Sequence, residues 1–136
     1  MGLYNIFLAD DDEDDRFTFS LALEPFKEKV TLVTSSDGQE LLDRLFAADT
    51  NPDLIILDNN MPRKDGIACL KEIRATKKFE PIPVIIFSTS ADALSVERAL
   101  KYDADHYIHK PHNLSQLKKI IAFCMKVDRA GTKPGR

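Results

Sequence analysis

The feature that most constrains this chain is an alternation of short, uninterrupted apolar runs with longer segments whose apolar residues recur at helical spacing. Tyr4 to Ala9 is a strand-type run, and a helical stretch follows from Glu13 to Leu23, ending near Pro25. Val30 to Thr34 reads as a second strand. After Asp37-Gly38 the pairs Leu41/Leu42 and Leu45/Phe46 repeat with a period near 3.6. Leu54-Ile55-Ile56-Leu57 is apolar throughout, as expected of a parallel strand covered on both faces. Met61-Pro62 and Asp65-Gly66 mark a loop, after which Ile67, Leu70 and Ile73 line one helix stripe. Pro81 and Pro83 lead into Val84-Ile85-Ile86-Phe87, a helix is expected over Asp92 to Tyr102, and His106 to His109 forms a short strand. The last helix carries the stripe Leu114, Leu117, Ile121 and Cys124, with Asn113 and Gln116 spaced as an N-terminal capping box.

Five β/α units in strict alternation bury their apolar surfaces best in a mostly parallel sheet, with right-handed crossovers and helices on both faces. The 136 residues suffice for one domain, expected over 1–127. The polar segment 128–136, with Gly131, Pro134 and Gly135, is expected to fray. With the fifth helix so near the end of the sequence, the reading is a stand-alone domain with no output domain attached. A composition of 43% hydrophobic and 30% charged residues is that of a globular protein. A net charge of −3 without a basic block argues against nucleic acid as the main partner. No leader opens the chain and no apolar run approaches bilayer length, so a cytoplasmic protein without a membrane partner is expected. Cys69 and Cys124 read as small core residues in a reducing compartment.

In open α/β sheets, ligands bind where strands end at their carboxyl edge. The first strand here ends in Asp10-Asp11, the third in Asp58, the fourth in Ser88-Thr89 and the fifth in Lys110-Pro111. Carboxylates gathered in one cleft repel unless a cation joins them. Their oxygens, with a backbone carbonyl and waters, suit Mg²⁺, and the lack of a His or Cys ligand in reach disfavours zinc. A carboxylate beside such an ion, with an ammonium and a hydroxyl opposite, suits phosphoryl transfer onto Asp58. The acidic run Asp12-Glu13-Asp14-Asp15 opens a helix, where the dipole favours each anion by roughly 0.3–1 kcal/mol; capping and solubility account for it. His106 and His109, three apart on a strand, point to opposite faces, and His112 lies beyond Pro111, so no shared ion is expected.

The segments Phe7-Leu8-Ala9-Asp10-Asp11, Pro52 to Gly66, Pro83 to Thr89 and Tyr107-Ile108-His109-Lys110-Pro111 closely resemble the receiver domains of bacterial two-component response regulators. The resemblance covers nearly the whole chain with the motifs in order. It implies a CheY-like, flavodoxin-like (βα)5 fold with a five-stranded parallel sheet in the order 2-1-3-4-5. It implies Asp58 as phospho-acceptor, supplied by a sensor histidine kinase or a histidine phosphotransfer protein. Mg²⁺, or Mn²⁺ in its place, would be held by Asp11, Asp58, the main-chain carbonyl of Asn60 and, through water, Asp10. Lys110 would pair with the phosphoryl oxygens. Ser88 and Tyr107 would act as the switch that alters the face made by the fourth helix, fifth strand and fifth helix. That face would signal to a separate target or support a homodimer; onward relay of the phosphoryl group is the other output. Ser90 and Asn59 stand where the resemblance puts residues that tune phosphoryl loss.

Four positions depart from the commonest pattern: Ser88 stands where Thr is usual, Asp103 where Gly is common, and His109 and His112 where many relatives are apolar. Asp enters the left-handed backbone region less readily than Gly, so local strain is expected at Asp103. Two other functions suit the same architecture. A Mg²⁺-dependent phosphatase with an aspartyl-phosphate intermediate, of the haloacid-dehalogenase type, wants a second Asp two residues past the nucleophile; this chain has Asn60. A flavin or nucleotide carrier wants a phosphate-cradling loop after the first strand, where Asp10-Asp11-Asp12 would repel phosphate.

Overall fold

A computed structural model describes residues 3–129 of the chain. Ten elements alternate as the periodicity requires: β1 (Tyr4–Ala9), α1 (Glu13–Ala22), β2 (Val30–Ser35), α2 (Gly38–Ala47), β3 (Leu54–Asp58), α3 (Gly66–Ala75), β4 (Val84–Ser88), α4 (Ala93–Lys101), β5 (His106–His109) and α5 (Leu114–Cys124). Single 3₁₀ turns at Glu24–Phe26 and Lys77–Phe79 follow α1 and α3, which the apolar pattern did not signal. The sheet runs β2-β1-β3-β4-β5 with every pair parallel, the order the resemblance implied.

The central strand shows why its apolar run is unbroken. Leu54 and Ile56 join Ile6, Leu8, Phe19, Leu117 and Ile121 beneath α1 and α5. Ile55 and Leu57 join Phe7, Leu41, Leu45, Leu70 and Ile73 beneath α2 and α3. Successive β3 side chains therefore feed two separate cores, each burial contributing roughly 1.5–3 kcal/mol. Cys69 and Cys124 are free, buried and in different cores, so they cannot be bridged; burial pushes both thiols up to about 12. Two stripe residues lie at the margin: Phe46 is exposed but sets its ring edge against Phe79 (centroids 5.0 Å apart), and Leu114 sits on the rim of α5.

All five helices start from a side-chain cap: Asp12, Asp37, Asp65, Asp92 and Asn113 accept first-turn amides. Gln116 completes the Asn113 cap by a variant of the box, reaching the amide of His112 (3.4 Å) rather than that of Asn113. α4 ends in a Schellman turn, with Ala104 N–H donating to Ala99 O (2.9 Å) and Asp103 N–H to Leu100 O (3.0 Å). This puts Asp103 at φ 73°, the left-handed conformation expected to strain a non-glycine residue. Its carboxylate pairs with Arg129 and approaches Arg74 at 3.9 Å.

Of the segment expected to fray, residues 130–136 lie outside the described residues. Arg129 within it is buried and donates to Glu80 O (2.9 Å). No helix among the described residues is long and apolar enough to cross a membrane.

Candidate functional site

β1 is flanked by β2 on one side and β3 on the other, so the chain reverses its direction of travel across the sheet between β1 and β3. Crevices form at such a point. Ala9 pairs with Leu57, which leaves Asp10 and Asp11 just past the end of β1 and Asp58 as the last residue of the adjacent β3. One carboxylate oxygen from each lies within 4.8 Å of the other two. Asp10 and Asp58 are buried and Asp11 is exposed. The donors are all oxygen and two are desolvated, a set that fits a hard divalent cation taking several waters.

Lys110 closes the cleft from β5. Its amide donates to Ser88 O (2.8 Å), carrying the β4–β5 ladder one residue past the strand. Its ammonium reaches Asp15 (2.9 Å), Asp10 (3.0 Å) and Asp58 (3.2 Å) together. Burial, then the Asp10 charge, raise Asp58 to about 6 against the pull of Lys110. Burial raises Asp10 as well, although the Asp12 amide and Lys110 oppose it. Burial alone would depress Lys110, but bonding to Asp15 and the charges of Asp10 and Asp58 overcome it and raise the ammonium. The cleft thus keeps a cation firmly and holds its carboxylates with difficulty.

The loop beyond Asp58 is fixed by close contact. Gly66 starts α3 against the end of β3, where a Cβ would lie 2.6 Å from the Asp58 carbonyl oxygen; its amide donates to Asn59 O (3.1 Å). Asn60 donates its amide to Asp58 Oδ1 (3.2 Å). Arg63, at φ 60°, forks onto Asp37 (2.9 and 3.0 Å), the cap of α2.

On the other flank, Ser88 is fully buried at the end of β4. Its hydroxyl accepts the Ser90 amide (3.1 Å), the Ser90 carbonyl accepts the Tyr107 hydroxyl (2.5 Å), and the Ser90 hydroxyl donates to Asp92 (2.8 Å), the cap of α4. Ser90 therefore ties Ser88, Tyr107 and the start of α4 into one network. His106 turns to Phe123 on α5 (centroids 5.1 Å apart), while the His109 Nε2–H donates to Thr89 O (2.9 Å), so the two do face apart. His112 comes within 5.9 Å of His109, ring to ring.

The structure brings together Asp10, Asp11, Asp58 and Lys110, with Asn60, Ser88 and Tyr107 around them. One assignment needs correcting. Asp12 is the cap of α1, but Asp15 turns its carboxylate into the site and bonds Lys110. Asp15 lies in the first turn of α1, which starts close to the end of β1; an acidic run hides that signal, because its members look alike.

The family model for the response regulator receiver domain matches residues 6–122. The chain belongs to the response regulator receiver family. This receiver is 35% identical over 117 residues to response regulator RR06 of Streptococcus pneumoniae, covering 86% of this chain and 51% of that protein. It spans about half or less of the curated relatives matched first. Among solved structures it is similar to the phosphorylated cyanobacterial phytochrome response regulator RcpA (33% identity, TM-score 0.84, covering 92% of this chain and 96% of that one). It also resembles the Mn²⁺-bound form of response regulator Rcp1 (25% identity, TM-score 0.80, covering 94% and 99%).

Proposed function

We propose that this receiver takes a phosphoryl group onto Asp58 from a phosphohistidine of a sensor histidine kinase or phosphotransfer protein. The observation that carries the reading is Asp58 itself: buried at a strand end, 3.2 Å from Lys110 and clustered with Asp10 and Asp11. Asp11, Asp58, the Asn60 carbonyl and, through water, Asp10 would hold Mg²⁺ or Mn²⁺; the Mn²⁺ bound by Rcp1 supports the choice of ion. Bound there, the ion supplies positive charge against the phosphoryl oxygens. An Asp58 oxygen forms the O–P bond as the P–N bond to the donor imidazole breaks, and the leaving nitrogen keeps the electron pair, the donor ring departing as neutral imidazole because its other nitrogen carries a proton. Lys110 loses a carboxylate partner as Asp58 becomes an acyl phosphate and gains phosphoryl oxygens in its place.

The output runs through Ser88. Turning its hydroxyl toward the phosphoryl group releases the Ser90 amide, and with it the Tyr107 bond and the α4 cap that share Ser90. The α4–β5–α5 face then differs between the two states and addresses a cytoplasmic target, or a second copy of the chain. Incubation with acetyl phosphate and Mg²⁺ labels the protein once per chain, with an acid-stable, alkali-labile linkage, and Asp58→Asn abolishes the label. Labelling that survives this substitution sinks the assignment. Phosphate release from p-nitrophenyl phosphate far beyond one equivalent per chain would point to a phosphatase instead.

A further inference from the structure

Lys110 has three N–H donors, and three carboxylates occupy them: Asp10, Asp15 and Asp58. Two of these belong to the oxygen cluster suited to a divalent cation, and Asp15 does not. Ion and ammonium must therefore compete for Asp10 and Asp58, but not for Asp15. We propose that Asp15 is a positioning residue: it retains the Lys110 ammonium when a divalent cation claims the Asp10 and Asp58 oxygens, keeping it in reach of the phosphoryl group. The inference rests on the reading given under Proposed function.

Three further observations support it. The Asp15 backbone is fastened in the first turn of α1, its amide donating to Asp12 Oδ1 (3.2 Å), so its carboxylate reaches Lys110 from an anchored Cα. A cavity of about 250 Å³ opens beside Lys110 between α1 and the start of α5, walled by Thr18, Phe19, Phe87 and Leu117, so the ammonium can withdraw toward Asp15 without collision. Asp15 is also partly exposed, with 44% of its side chain open against 6% for Asp10 and Asp58, so it holds a charge at less desolvation cost than they do. Without Asp15, the ammonium would settle between Asp10 and Asp58, and an entering ion would have to expel it.

The test is a double-mutant cycle on cation affinity, read by electron paramagnetic resonance of free Mn²⁺, which needs no phosphoryl donor. Asp15→Asn should weaken Mn²⁺ binding about tenfold in the wild-type background. In the Lys110→Ala background, where nothing competes, the loss should shrink to about twofold or less. Asp15→Glu should restore most of the affinity, and thermal melts report whether each variant is folded. Equal losses in the two backgrounds would overturn the proposal, leaving Asp15 as a nearby charge or a structural residue. A wild-type chain that binds no Mn²⁺ would instead overturn the underlying functional reading, so the two failures are told apart.

Discussion

At the amino edge of β4 and β5, Arg74 and Arg129 meet Asp103 and Asp105; past the carboxyl edge, three aspartates share the ammonium of Lys110, with Asp11 beside them. The first group is close to neutral and saturated. Arg74 bonds Asp105 (3.0 Å), Ile82 O (2.9 Å) and Asp103 O (3.0 Å), and Asp105 also accepts the Val84 amide (2.8 Å). Burial and the neighbouring Arg129 lower Arg74 only to about 10, so it stays charged. The second group is short of positive charge, and burial first, then carboxylate neighbours, raises Asp10 and Asp58. One end of the sheet uses buried charge to hold the chain together; the other leaves charge unbalanced so that a cation is wanted there.

The largest expected effect is at the saturated end. Asp105→Ala removes a buried carboxylate shared by two guanidinium groups and the Val84 amide, and should cost about 3–5 kcal/mol in denaturant unfolding. A loss under about 1 kcal/mol would erase the contrast. At the unbalanced end the same class of change should stabilise. In cation-free protein Asp58 titrates near 6, against about 4 in the unfolded chain. The folded state binds that proton more tightly, so the contribution is full below about pH 4 and lost as pH climbs through 6. Asp58→Asn avoids the loss, and cation-free protein at pH 7 should melt about 3–6 °C higher, an advantage that vanishes near pH 4 and narrows when Mg²⁺ is added. A lower melting temperature would contradict the picture of strained carboxylates. Smallest is Asp103→Gly. It relieves a left-handed backbone worth about 1 kcal/mol and removes ion pairs from a carboxylate 54% exposed, worth about 0–1 kcal/mol. Stability should change by less than about 0.5 kcal/mol; a loss of 2 kcal/mol or more would show that Asp103 is part of the buried lock.

The sequence showed the fold through β3 and β4, because a strand covered on both faces must be apolar at every position, and few other settings demand that. It showed Asp10, Asp11, Asp58 and Lys110 because strand ends converge and like charges there need explaining. Asp15 was obscured by its acidic neighbours, and only the fold separates the cap from the site residue. Arg74 and Arg129 were invisible as partners: one lies in the last turn of α3 and the other follows α5, 55 positions apart in the numbering, and no periodicity links them. The Ser90 network was hidden for the same reason, since it depends on a main-chain carbonyl whose direction no residue type announces.

The five helix caps bear on what this cleft does with free anions. Every helix begins on the side of the sheet where the carboxylates collect, and each has donated first-turn amides to an oxygen of its own chain. Orthophosphate drifting in therefore meets helix ends already engaged, with acidic groups between them. Lys110, the cation in the cleft, is likewise taken up by three carboxylates, so the receiver as it stands offers free orthophosphate little hold.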